Sequence, residues 1–323
     1  MANKDILEDF IIEDEFGFYC AYGDFYIDPK YPVTTAVISH AHGDHAVPGH
    51  AYIFATAPTA AFMQYRFVQQ PIKSYHIKQF KEKFYIGEVE IEFIPAGHIL
   101  GSAQIVMTYR GVRYLYTGDY KLQEDRTCEP IGYMQADVLI TETTFANPEI
   151  VHPDPVEEIK KLNTTSLNIM LGCYSLGKAQ RLTYLINIHC PDKKVYTHHS
   201  ITPIHRLYDS LGFVKLNYEI YNRKILKEGQ HKVYLVPPIA FNSYFRAKNI
   251  VRVFASGWER LQHANDMSLY ISDHIDWREL NIYISKVQPR EIWTVHGDGS
   301  LLKEHYADKI IVRNIFKKKR ITV

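Results

Sequence analysis

The run His40-Ala41-His42-Gly43-Asp44-His45 constrains this chain more than any other stretch. Three imidazoles and a carboxylate stand within six residues, directly after the apolar run 35–39 (TAVIS). Polar groups packed at the end of a buried strand are costly unless something satisfies them. His40 and His42 are two apart, so an extended backbone points both the same way. Gly43 lets the chain turn, so that Asp44 and His45 face a neighbouring position. Imidazole and carboxylate are donors that Zn²⁺ accepts. One metal uses three or four such groups, so four here with more downstream point to two metals.

The downstream candidates share one pattern. Apolar runs of four to six β-branched and aromatic residues read as buried strands, and each stops at a His or an acid. Residues 91–95 end near His98, 112–117 near Asp119, 137–141 at Glu142, 268–272 near His274 and 291–295 at His296. His98, Asp119 and His296 each sit beside a Gly that permits close approach. Ligand-type residues at the carboxyl ends of strands are where sheet proteins often build sites. The chain has 16 His among 323 residues, which these positions help to explain.

Charge narrows the class in another way. Lys plus Arg is 37 and Asp plus Glu is 36, a net of +1, which excludes a globally basic binder but not a local basic groove. Cys20, Cys128, Cys173 and Cys190 form no C-x-x-C pair and no disulfide framework. The first ten residues carry Lys4, Asp5, Glu8 and Asp9 without an apolar stretch, and no apolar run reaches membrane-spanning length. The expectation is a cytoplasmic protein with no membrane partner. The run Lys317-Lys318-Lys319-Arg320 reads as a solvated end, with a nucleic-acid contact as the alternative.

Helices alternate with strands in the middle of the chain. Asp154-Pro155-Val156-Glu157 supplies an N-cap, Pro at the first helical position and Glu in the first turn. Residues 175–190 place Leu182, Leu185 and Ile186 at helical spacing, and residues 203–211 do so before a stop at Gly212. With 168–171, 195–198 and 232–236 as strands, this is a small parallel βαβ region. The metal-type residues fall in two blocks, 40–142 and 274–296, on either side of it. The expected organisation is one discontinuous site-bearing domain, 1–165 and 259–323, interrupted by an inserted domain, 166–258.

HAHGDH resembles the H-x-H-x-D-H signature of the metallo-β-lactamase superfamily. Asp28 in Ile27-Asp28-Pro29 is similar to its early acidic motif, and His98 and Asp119 follow in order. Glu142 in Thr141-Glu142-Thr143, His274 in Ser272-Asp273-His274-Ile275-Asp276 and His296 in Val295-His296-Gly297 resemble the three motifs of the β-CASP nucleases. Residues 23–29, the stretch 174–181 (YSLGKAQR) and Ala255-Ser256-Gly257-Trp258 look like the bacterial DNA-ligase-associated exonucleases. Those are relatives of the Artemis-type DNA-repair nucleases and of the mRNA 3′-end processing endonucleases. His296 departs from the Artemis type, which has an apolar residue there, and is similar to the RNA-processing branch.

The resemblance implies an α/β fold: an αββα metallo-β-lactamase sandwich with an inserted small β-CASP domain. It implies His40, His42 and His98 on one Zn²⁺, Asp44, His45 and His296 on the other, and Asp119 bridging, with Mn²⁺ as the alternative metal. Two metals about 3.5–4 Å apart suit phosphodiester hydrolysis. Asp44 is then placed to take a proton, and His274, oriented by Glu142, to give one to the leaving sugar oxygen. Ser175, Gly177, Lys178 and Arg181, at a strand-to-helix junction, are the expected phosphate contacts. The implied activity is a DNA exonuclease in DNA repair, of 5′→3′ polarity, acting on single strands or DNA ends and linked functionally to a DNA ligase. An RNA-processing nuclease of the mRNA 3′-end type is the alternative, and an inactive nucleic-acid-binding scaffold ranks lower.

Overall fold

A computed structural model describes residues 5–70, 74–222, 229–243, 249–263, 265–297 and 299–317. Lys318, Lys319 and Arg320 of the basic run lie outside the described residues. The chain divides into two compact units. The first comprises Met1–Leu122, Glu129–Ile150 and His274–Val323; the second comprises Gln123–Cys128 and Val151–Asp273. Both are α/β. Among the described residues, no helix is long and apolar enough to cross a membrane.

The first unit contains two seven-stranded sheets. One runs in the order β19 (Phe316–Lys317), β1 (Ile12–Glu13), β2 (Phe18–Cys20), β3 (Phe25–Ile27), β4 (Thr35–Val37), β5 (Tyr52–Ala55), β6 (Ser74–Ile77). The other runs β18 (Ile311–Asn314), β17 (Glu291–Val295), β11 (Val138–Glu142), β10 (Val112–Tyr116), β9 (Ala103–Tyr109), β8 (Val89–Pro95), β7 (Lys83–Ile86). Side chains of a strand alternate between its two faces. Phe93, Ile105, Tyr116 and Ile140 of the second sheet therefore share one buried cluster with Phe25, Ile27 and Val37 of the first. Their neighbours Ile94, Val106, Leu115 and Leu139 point the other way, onto Leu280, Tyr283 and Ile284 of α6 (Trp277–Val287) and Leu302 of α7 (Ser300–His305). The two sheets are thus packed face to face, with helices covering one outer surface. Strands β10, β11 and β17 are parallel, and β8 shares their direction through two antiparallel pairings with β9, so their carboxyl ends lie on one edge.

The second unit is built on a fully parallel sheet ordered β14 (Glu219–Ile220), β13 (Lys194–Thr197), β15 (Lys232–Val236), β12 (Asn168–Gly172), β16 (Ile250–Phe254). Parallel neighbours need crossovers. Helices α3 (Lys178–His189), α4 (Thr202–Leu211) and α5 (Pro238–Ser243) lie in three of them. α4 ends where expected, at Gly212 in the left-handed conformation.

Two expectations need correction. The second compact unit is wider than 166–258, taking in residues 123–128, residues 151–165 with α2 (Pro155–Lys160), and residues 259–273. Ile159, Leu162, Leu269 and Ile271 bury in the same cluster as Ile169, Leu171, Leu182 and Ile186, and that apolar packing sets the boundary. Residues 268–272 are not a strand; they make one isolated bridge, Ala255 to Leu269. A side chain replaces the ladder there. The Gln262 amide donates to Leu269 O and accepts from Leu269 N–H, while Tyr270 N–H donates to Glu158.

Candidate metal centre

Strand ends deliver the polar groups of the first unit. His40–His45 follow β4, His98 follows β8, Asp119 follows β10, Glu142 closes β11 and His296 follows β17. Close approach is made possible by Gly118, which has φ of +56°. A Cβ there would meet Ser39 Cβ and Oγ at 2.9 Å. The end of β10 can therefore lie directly against the residue before His40.

Asp119 Oδ2 is the hub. It lies 3.5 Å from His45 Nε2, 3.6 Å from His40 Nε2, 3.8 Å from His98 Nε2 and 3.9 Å from His274 Nε2. His42 Nδ1 lies 3.2 Å from His40 Nε2 and 3.0 Å from His98 Nε2. A tetrahedral ion with bonds of about 2.0–2.1 Å holds its donors about 3.3 Å apart. The donor set His40, His42, His98 and Asp119, all within 4.8 Å of one another, fits one metal on those grounds. The second expected set is looser. Asp44 is exposed, with Oδ2 3.9 Å from His45 Nε2, and the exposed His296 ring lies 5.7 Å from the His45 ring.

The electrostatics agree with a cation site. Burial, reinforced by neighbouring imidazoles, holds His40 and His98 well below the usual histidine range, so both are neutral. Burial raises the Asp119 carboxyl, but the charges of His45 and His274 outweigh it and hold Asp119 ionised. Burial also opposes charge on His45, but Asp119 and Asp28 outweigh it and lift His45 well above its ordinary value. Neutral imidazoles and an ionised carboxylate are the forms that bind metal.

Supporting residues fix the tautomers. Asp28 accepts from Ser39 N–H at 2.7 Å and Ser39 Oγ–H at 2.5 Å, from Tyr116 Oη–H at 3.1 Å, and from His45 Nδ1–H at 2.8 Å. Ser39 Oγ, its proton given to Asp28, accepts from His40 Nδ1–H at 3.0 Å. The Nε2 atoms of His40 and His45 are thereby directed at the centre. Lys121, buried, donates to His98 O at 2.5 Å. Sequence reasoning missed Ser39, Tyr116 and Lys121; Ser39 adjoins His40, but Tyr116 and Lys121 stand three before and two after Asp119 and gave no adjacent signal. Across the site, buried Glu142 Oε1 accepts from His274 Nδ1–H at 2.9 Å, and Thr144 Oγ1–H donates to Glu142 Oε2 at 2.5 Å.

The expected phosphate contacts are arranged differently, and all lie in the second unit. Gly177, with φ of +80°, precedes α3 and its N–H donates to Gln180 Oε1, while Ser175 O accepts from the same side chain. Lys178 and Arg181 are buried rather than presented outward. Lys178 Nζ pairs with Asp273 at 3.0 Å and donates to Ile271 O. Arg181 pairs with Asp273 and donates to Ser272 O and Gln123 Oε1. Buried carboxylates draw both cations inward, a partnership that spacing along the chain does not reveal.

No family model matches the chain. A probable DNA ligase from Opitutus terrae is 28% identical over 298 residues, covering 87% of this chain and 28% of that protein. An RNase J-like protein from Methanocaldococcus jannaschii is 30% identical over 189 residues, 50% of this chain and 45% of that one. The chain thus matches less than half the length of either relative. A crystal structure of a protein of unknown function from Enterococcus faecalis V583 has the same fold, with a TM-score of 0.60 at 14% identity over 87% of this chain and 78% of that chain. In the order of its motifs the chain is similar to the β-CASP nuclease branch of the metallo-β-lactamase superfamily, and in sequence it is similar to these two relatives over 87% and 50% of its length.

Proposed function

We propose that this chain is a zinc-dependent nuclease, most specifically a DNA exonuclease of 5′→3′ polarity with a role in DNA repair. The first unit is read as the αββα metallo-β-lactamase sandwich and the second as the β-CASP insertion. The observation that carries the reading is the convergence of four imidazoles on Asp119 Oδ2, one of them, His274, backed by buried Glu142. His40, His42, His98 and Asp119 would hold one ion; Asp44, His45, His296 and Asp119 would hold the other. Two zinc ions, when bound, supply Lewis acidity and a water acidified enough to attack phosphorus.

The protein's own groups do the rest. Glu142 occupies the His274 Nδ1 proton, so Nε2 is the nitrogen turned to the centre. In its charged form, His274 delivers the Nε2 proton to the leaving sugar oxygen. Asp44, exposed beside His45, takes up the proton released on the attacking side. DNA is preferred as substrate because the relative named a probable DNA ligase aligns with 87% of this chain, which also supports a functional link to ligation. An RNA-processing activity is the second reading, favoured by His296 and by the RNase J-like relative.

Matched single-stranded DNA and RNA, 5′-phosphorylated or not and labelled at either end, test the reading with added zinc or manganese. Stepwise shortening of DNA from its 5′ end, stopped by a chelator, is the expected result. Cleavage of RNA alone would replace the substrate. Metal-loaded protein inert on both would remove the nuclease reading.

A further inference from the structure

The segment that leads into His274 is held by charge buried deep in the second unit. Asp273 immediately precedes His274, and its two oxygens are divided between two cations: Oδ1 lies 2.9 Å from Arg181 Nη1 and Oδ2 lies 3.0 Å from Lys178 Nζ. The same side chains grip the adjoining main chain. Lys178 Nζ donates to Ile271 O and Arg181 Nη1 to Ser272 O, each at 2.5 Å. Three consecutive residues before His274 are therefore bonded to one turn of α3.

Arg181 also reaches a second segment. Nη2 donates to Gln123 Oε1 at 3.0 Å, and Nε lies 3.6 Å from Asp125 Oδ2. Asp125 is itself fixed, accepting from Thr127 N–H at 2.8 Å and Thr127 Oγ1–H at 2.6 Å. Residues 123–128 begin four positions after Asp119. One guanidinium thus ties the stretch leaving Asp119 to the stretch arriving at His274.

Such an arrangement is a poor investment in stability alone. Desolvating two cations and two carboxylates costs several kcal/mol per ion, and an apolar replacement of equal volume is often no worse. A buried charge network does fix one geometry, because each partner has few acceptable positions. In 268–272 that matters, since the chain lacks a strand ladder to hold it.

Resting on the nuclease reading above, we propose that Lys178 and Arg181 are positioning residues for proton donation by His274, acting through Asp273 and the carbonyls of Ile271 and Ser272. They touch neither substrate nor metal in this role. A displacement of about 1 Å at a reacting group can cost roughly a hundredfold in rate.

Leaving-group dependence tests it. A DNA phosphodiester expels a poor sugar alkoxide that needs the donated proton, whereas thymidine p-nitrophenyl phosphate expels a stable phenolate that does not. Arg181→Lys keeps the charge facing Asp273 and Asp125 but loses the fork. It should lower kcat on DNA roughly tenfold to a hundredfold, leave KM and bound zinc unchanged, and spare the p-nitrophenyl substrate. Should Arg181→Lys fail to fold by its melting curve, Lys178→Met serves, since Arg181 still neutralises Asp273. Equal loss on both substrates, or no loss on either, overturns the positioning role while an active wild type leaves the nuclease reading standing. A wild type inert on both substrates overturns the nuclease reading and this role with it.

Discussion

Asp119 concentrates the demands of the centre on a single oxygen atom. Four imidazole nitrogens face its Oδ2, so truncating it leaves several cationic or lone-pair groups without a common partner. Asp119→Ala should abolish phosphodiester hydrolysis and lower bound metal, measured by elemental analysis; a variant with full metal and full rate would remove the assignment. His274 is set apart by Glu142, which holds its far nitrogen. His274→Ala should cut the rate roughly 10²–10⁴-fold with metal content intact, and zinc loss would make it a ligand instead. His205, buried on α4, offers a separate test. Its Nδ1 accepts from Gln180 and its Nε2 donates to Thr183, and burial pushes it down to about 4 from 6.5. Between those values the unfolded chain binds the proton and the folded chain does not. Stability is therefore lost as pH falls from 6.5 towards 4, on the order of 3 kcal/mol in all at about 1.4 kcal/mol per unit. Denaturant titrations should show a shallower pH slope for His205→Gln over that range.

Strand ends and glycines did most of the placing at the scale of elements. The runs around His40, His98, Asp119, Glu142 and His296 were legible because a buried strand and a polar stop are both local signals. The run at 268–272 misled for the opposite reason: its apolar residues bury, yet its hydrogen bonds go to Gln262 and Glu158, partners that periodicity does not identify. Lys178 and Arg181 both stand in the first turn of α3, at the strand-to-helix junction the sequence indicated, but their acceptors 91 to 93 residues onward were invisible in the sequence. Two left-handed glycines separate backbone strain from packing. Gly212, φ +68°, has no neighbour within 4 Å of a new Cβ, so Gly212→Ala should cost about 1–2 kcal/mol from conformation alone. Gly118, φ +56°, would drive a Cβ into Ser39. Gly118→Ala should therefore cost more than Gly212→Ala in chemical unfolding and should also weaken metal binding, because Ser39 sets the His40 ring.

The expectation of an interrupted organisation came from two blocks of metal-type residues, whereas the edges of the second compact unit depend on where Ile159, Leu269 and Ile271 bury. Because the proposed ligands come from separate strand ends, an ion bound by them would stabilise the native state as a whole. Zinc at one hundred times its dissociation constant should add about 2.7 kcal/mol to unfolding, raising Tm, and Asp119→Ala should lose most of that gain. The same layout has a consequence in time. His40, His42, Asp44, His45, His98 and Asp119 all precede the second unit in the chain, whereas His274 and His296 follow it. Glu142 waits 132 residues for its partner. On the proposed assignment, a chain emerging from the ribosome would hold six of its ion-binding side chains well before it owned a proton donor. On that assignment, a product halted within the second unit would be a scavenger of metal with no means of cutting until synthesis reached His274 and His296.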